Sequence, residues 1–242
     1  MRKLTVAVLA AGAAAIAGSA IAADMPYYPP IIEIPDVDYG YTGSFYLRGS
    51  AGLNLMWAKR VNHPDAIPDT SFDIDEFGYG YSYGLGAGFE TGTGLRFDIT
   101  ADILRNDDMR TTIAGSTNLE NGVHSLSLRS SVLLANAYYD VGFGDGYSAA
   151  GGPVAYIGAG AGVAFNDAIV TDPLGAKVQD QNTSFAAAGM AGLGYDFGAF
   201  VADLGYRALY INRIANTSAA FPFSIEDNWV HEVRGTVRYR FN

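Results

Sequence analysis

The run Tyr79-Gly80-Tyr81-Ser82-Tyr83-Gly84-Leu85-Gly86-Ala87-Gly88-Phe89-Glu90 passes through Thr91-Gly92-Thr93-Gly94 into Leu95-Arg96-Phe97-Asp98-Ile99-Thr100-Ala101-Asp102-Ile103. In both halves every second residue is apolar, and the residues between are glycine, serine, threonine or charged. Successive side chains of an extended chain point to opposite faces, so this period of two describes two strands, each with an apolar and a polar face. The Thr-Gly-Thr-Gly segment between them has the composition of a tight hairpin.

The same alternation extends in both directions. Upstream, Phe45, Leu47, Ala51, Leu53 and Leu55 share one face, with Tyr46, Arg48, Ser50 and Asn54 on the other. Downstream, strands are predicted over Ser131–Val141, Val154–Phe165, Ser184–Tyr195, Phe200–Tyr210 and Trp229–Phe241. In the first of these, Leu126 and Leu128 fall out of phase with Leu133, Ala135, Ala137 and Tyr139, and a bulge near Ser130 would reconcile them. The runs are about ten residues long, the length a tilted strand needs to cross a bilayer.

Connections sort by length. Those at Thr91–Gly94, Gly142–Gly152 and Asp196–Ala199 are short or glycine-rich, whereas Met56–Gly78, Arg105–Gly122, Asn166–Thr183 and Ile211–Asn228 are long and polar. Short turns at one end and long loops at the other are the signature of a transmembrane barrel. A soluble barrel also alternates, but its outward face would be rich in lysine and glutamate. Here the polar face carries glycine, serine and mixed arginine and carboxylate. The expectation is an all-β, eight-stranded, antiparallel up-and-down transmembrane β-barrel over residues 41–242.

Composition agrees. The chain has 242 residues, 49% of them hydrophobic and 17% charged, with 30 glycines and no cysteine, which excludes disulfide scaffolds and thiolate chemistry. A net charge of −10 argues against nucleic acid as a partner, because phosphate backbones are bound by clustered cations. Met1-Arg2-Lys3 followed by an apolar run to Ala20-Ile21-Ala22 reads as a secretory signal over residues 1–22. Residues 23–40, with Pro26, Pro29, Pro30 and Pro35, read as an extended periplasmic tail.

The chain ends Val237-Arg238-Tyr239-Arg240-Phe241-Asn242, where Tyr239 and Phe241 look like the insertion signal of outer-membrane barrels, displaced one place by Asn242. Together with Ala23-Asp24-Met25-Pro26, Asn136-Ala137-Tyr138-Tyr139-Asp140, Asp203-Leu204-Gly205-Tyr206-Arg207 and His231-Glu232-Val233-Arg234, the chain resembles the small outer-membrane porin-like family of alphaproteobacteria. That family is similar to the eight-stranded OmpA transmembrane domain. The resemblance implies a place in the outer membrane of a Gram-negative bacterium. The implied partners are outer-membrane lipids, lipopolysaccharide and the barrel-assembly machinery, with host surface ligands as a further candidate. It implies no cofactor, and a carboxy-terminal peptidoglycan-binding module is expected to be absent.

With Phe45, Tyr81, Phe97 and Val237 facing lipid, parity turns Arg48, Glu90, Arg96, Asp98, Asp102, Asp203, Arg207, Glu232, Arg234, Arg238 and Arg240 inward, and Asp140 joins them. Charges of both signs in a narrow lumen form either a structural salt-bridge plug or the lining of a small gated pore. Trp57, Tyr79, Tyr81, Tyr83, Phe89, Tyr195, Tyr206, Tyr210, Trp229 and Tyr239 are candidates for interfacial anchors.

Catalysis has little to stand on. His63 lies beside Pro64 in a loop, His231 is expected at the rim with Trp229, and His124 has Ser125 and Ser127 on the opposite strand face. The carboxylates Asp65, Asp69, Asp73, Asp75, Glu76, Asp107 and Asp108 lack the spacing of a calcium loop, so no metal site is expected. The role read from the sequence is structural, supporting the cell envelope and presenting surface loops. A low-conductance porin or a host-surface adhesin are the alternatives.

Overall fold

The computed structural model describes residues 43–58, 60–64, 66–67, 71–143, 151–216 and 222–241. The predicted leader and tail, residues 1–40, lie outside the described residues, as do Asp65, Asp69 and Asn242.

The strands are β1 (Ser44–Trp57), β2 (Arg60–Asn62), β3 (Ser71–Glu76), β4 (Gly78–Glu90), β5 (Leu95–Ile113), β6 (Gly122–Gly142), β7 (Gly151–Thr171), β8 (Lys177–Phe197), β9 (Phe200–Asn216) and β10 (Phe223–Phe241). All pairings are antiparallel, and β1 pairs with both β4 and β10, so the ring closes on itself. The ten segments fill eight positions. Trp57 pairs with Trp229 of β10, and Val61 of β2 pairs with Ile225 in the same register, so β2 continues β1. β3 continues β4 in the same way after a one-residue slip between Ile74 and Glu76. A closed ring leaves no strand edge unpaired, and in hydrocarbon every backbone polar group must be satisfied within the protein.

Three of the long loops prove shorter than the sequence predicts. β5 to β8 are 19 to 21 residues each, leaving residues 114–121 between β5 and β6 and 172–176 between β7 and β8, while β9 and β10 extend to Asn216 and from Phe223. The added segments look like loop because both faces stop obeying the lower pattern. Ser125, Ser127, Gln179 and Gln181 point outward, while Leu126, Leu128, Ala168 and Val170 point inward.

The predicted bulge near Ser130 is absent. β6 runs against β7 without a slip from Ser125 to Gly142. Leu126 and Leu128 are out of phase because they face the interior, at 7% and 1% exposure. The irregularity lies on the neighbouring strand, between Asn106 and Met109 of β5, where Asp108 adopts φ 64°.

Glycines on the inner face of β4 and β7 let neighbouring groups close in. A Cβ on Gly84 would stand 2.0 Å from Asp102 Oδ1, and one on Gly162 would stand 1.9 Å from the Leu133 carbonyl oxygen. Both distances are far inside van der Waals contact, so these sites exclude any side chain.

Candidate functional site

The lumen has two polar clusters toward the end that carries the β4–β5, β6–β7 and β8–β9 turns. The first is a chain of alternating charge. Arg240 bridges Asp196 (2.6 Å) and Glu90 (2.8 Å), and Arg238 bridges Glu90 (2.6 Å) and Asp140 (3.4 Å). Arg96 then joins Asp140 (2.8 Å) to Asp98 (3.9 Å), and Arg48 closes on Asp98 at 2.9 Å. Tyrosines support it: the Tyr46 hydroxyl donates to Asp98 at 2.9 Å, and Arg48 donates to the Tyr138 hydroxyl at 2.7 Å. The Arg96 guanidinium lies 3.8 Å from the centre of the Tyr138 ring, a cation–π contact.

The second cluster is a four-membered ring nearer the middle. Arg207 bridges Asp102 (2.5 Å) and Glu232, and Arg234 bridges Asp102 (2.9 Å) and Glu232 (3.8 Å). Arg234 also donates to Ser50. None of these four side chains exceeds 4% exposure. Each cluster balances its own charge, which is what a narrow, desolvated interior demands.

Eleven of the twelve lumen residues read from parity therefore take part in ion pairs. Asp203 instead accepts from the Tyr156 hydroxyl at 3.2 Å. Asp196, Tyr46, Tyr138 and Tyr156 were not among the sequence candidates. Continuing the alternation of Tyr195 and Phe197 up to the turn finds Asp196, and the same parity turns Tyr46, Tyr138 and Tyr156 inward, although it does not give the charges their hydroxyls meet.

Above these clusters the interior changes character. Leu104, Leu128, Val132, Leu134, Leu209, Ile211 and Val230 are all at or below 1% exposure, and the Asn106 Nδ2 donates to Asn54 Oδ1 at 2.7 Å among them. At the loop end Phe72, Ile113, Phe223 and Ile225 continue this core. The cavities left there are about 70 and 20 Å³, room for a few waters at most. His63 lies in the loop after β2, as expected, and its ring is buried in the core against Phe72 and Phe223, with ring centres 6.0 and 6.2 Å away. Burial, then the neighbouring His124, holds its imidazole below the ordinary histidine range, against an opposing contact with the Pro222 backbone. His124 faces inward, while Ser125 and Ser127 lie on the other face.

The outer wall reverses the inner one. The ten interfacial aromatics named from the sequence all lie on it, exposed or half-buried. Trp57, Trp229 and Tyr210 meet in register near the loop end, where Tyr79 also stands. Phe89, Tyr195 and Tyr239 lie toward the turn end, with Phe241 5.1 Å from Tyr239. Tyr83 and Tyr206 sit between the two belts. From Tyr79 to Phe89 a strand tilted about 40° rises roughly 25 Å, the height of the apolar band on a membrane barrel. His231 stacks on Trp229 at 6.5 Å, and its Nδ1 lies 2.5 Å from the Tyr206 hydroxyl.

A closed antiparallel ring, apolar outside and charged inside, defines a membrane-spanning β-barrel. Among solved structures, the chain is similar to Neisserial surface protein A, at 22% identity over 83% of this chain and 99% of that one with a TM-score of 0.48. It is also similar to the outer membrane protein OprG from Pseudomonas aeruginosa, at 15% identity over 83% and 98% with a TM-score of 0.47. A third is Ail of Yersinia pestis, crystallised with the heparin analogue sucrose octasulfate, at 14% identity over 81% and 99% with a TM-score of 0.38. No family model matches the chain, and no curated protein matches it.

Proposed function

We propose that the protein is a closed barrel of the Gram-negative outer membrane whose work is structural. It strengthens the envelope and holds an ordered cap above the membrane as the surface other cells and ligands meet. Residues 1–22 export it, and Tyr239 and Phe241 present it to the barrel-assembly machinery. Trp57, Tyr79, Tyr210 and Trp229 at one belt and Phe89, Tyr195 and Tyr239 at the other seat it between the two interfaces.

One observation carries this reading: the Asp102–Arg207–Glu232–Arg234 ring lies directly beneath the Leu104, Leu134, Leu209 and Val230 core, with every one of these residues buried. An eight-stranded barrel is wide enough only for its own side chains, and here neutral ion pairs and hydrocarbon fill it in succession. An ion entering from the turn end would have to break buried ion pairs and then cross a largely apolar layer. Deleting the gene should raise sensitivity to detergents and large antibiotics, and the intact chain should restore resistance. A deletion strain with an intact barrier but a specific defect in small-solute uptake would contradict the structural role.

A further inference from the structure

Arg105 of β5 and Arg129 of β6 face outward and pair directly opposite one another in register. Like charges placed opposite on a sheet repel, and no carboxylate among the described residues lies within ion-pair distance of either. Arg105 Nε is buried with no hydrogen-bond partner. Asp167, the register partner of Arg129, turns both its oxygens to the Gln179 amide at 2.9 Å. Asp107, two positions above Arg105, is exposed.

The pair stands at the level where the outer wall changes from polar to apolar. Above it the outward residues are Asp107, Ser127 and Gln179, and below it Ile103, Leu133 and Val163. At this level the wall is hollowed by a concavity of about 440 Å³, bordered by both arginines, by the Gln179-bound Asp167, and by Ser131, Phe165 and Thr183. Below, on the same strands, Ala135 and Ala137 of β6 pair with Ala161 and Ala159 of β7, so the wall recedes into an open groove flanked by Phe97 and Ile99. Arg129 and Ala135 are separated by about 15 Å along the membrane normal, within reach of an acyl chain.

We propose that this is a binding site for a phosphorylated lipid of the outer leaflet. The two guanidinium groups clamp a headgroup phosphate and the alanine track receives an acyl chain. Guanidinium forks match phosphate oxygens bidentately, which neutralises the opposed charges and gives the orphaned Nε an acceptor. Ser131 and Thr183 supply hydroxyls at the edge of the same hollow. The site rests on the outer-membrane placement proposed above, but its binding chemistry is testable apart from any cellular role.

The test uses the refolded barrel in detergent. Native mass spectrometry follows its retention of bisphosphorylated lipid A, of the same lipid dephosphorylated, and of inorganic phosphate. Wild type should prefer the bisphosphorylated lipid by about tenfold or more, as expected for charge-assisted bidentate pairing. Arg105→Gln with Arg129→Gln should remove that preference, Arg105→Lys should weaken it, and Arg213→Gln on β9 should leave it unchanged. Heat-modifiable mobility of each variant on gels establishes that it has folded. Equal retention of the two lipids by wild type, an unchanged preference in the folded double variant, or competition by inorganic phosphate as strong as by the lipid would overturn the proposal. Loss of the envelope phenotype with lipid preference intact would count against the structural role and leave the site standing.

Discussion

Asn136 and Leu134 are consecutive inward-facing residues of β6, and the lumen changes phase between them. Asn136 Nδ2 donates to Asp98 Oδ1 at 2.7 Å and to Thr100 Oγ1 at 3.1 Å, which ties it to the charged chain. Leu134, one step toward the loop end, is 1% exposed within the apolar core. The interior is thus two layers in series: a polar one toward the turn end, and an apolar one that begins where Leu133 and Ala135 still face outward and continues to the level where Ser127 and Gln179 do.

Breaking the mid-lumen ring should destabilise the barrel more than removing a matched pair. Asp102→Asn leaves Arg207 and Arg234 sharing Glu232, and stripping one partner from a buried pair costs about 3–5 kcal/mol. The double variant Asp102→Asn/Arg234→Gln keeps the Arg207–Glu232 pair and restores neutrality, so it should lose less. Urea unfolding in lipid vesicles, read by tryptophan fluorescence, measures both. A double variant less stable than the single would show that the ring does not act as a charge-balanced unit.

The apolar core should behave as packed hydrocarbon. Leu209→Ala opens a cavity at a fully buried position, for an expected loss of about 2–5 kcal/mol. The loss should appear as a lower urea midpoint with conductance unchanged, because the ion-paired layer beneath remains.

Acidification should loosen the cap. His63 titrates below the ordinary value of about 6.5, so between that value and its folded pKa the unfolded chain binds more protons than the folded one. Stability from the neutral imidazole is present above that window and falls as pH drops through it. Protection of the β2 and β3 amides, corrected for the intrinsic pH dependence of exchange, should therefore fall between pH 7.5 and 5, and His63→Phe should abolish the change. Equal protection factors at both pH values in wild type would refute it.

Close approach at β4 should tolerate no side chain. Gly84→Val would drive its Cβ into Asp102 Oδ1 and to 2.8 Å from the Ala101 carbonyl oxygen. The variant should fail to reach the heat-modifiable, protease-resistant form on refolding, whereas Gly142→Ala, with open space around it, should refold normally.

The ring of strands was legible where one face was apolar and the other was not. From Tyr79 to Ile103 and from Trp229 to Phe241 the alternation holds without interruption, because lipid and ion pairs lie on opposite sides. It failed at Leu126, Leu128 and Val170, where the interior itself becomes apolar and a strand reads as loop or bulge. β2 and β3 were hidden for the same reason, being short continuations across Ala58 and Phe77. Parity could assign the arginines to a face, but not the choice of Asp98 by Arg48 or the pairing of Arg207 with Glu232. Those depend on strand register around the closed ring, which joins residues as distant as Asp102 and Arg234. The burial of the loop residue His63 is not legible, because nothing local to His63-Pro64 shows that the core closes over it.

The closed lumen is tested most directly by single-channel recording on the refolded protein in planar bilayers. The account predicts a silent baseline for wild type, without discrete openings at either polarity. Reproducible openings in wild type, weakened by Arg96→Ala or Asp98→Ala, would contradict it and make the charged chain the lining of a pore.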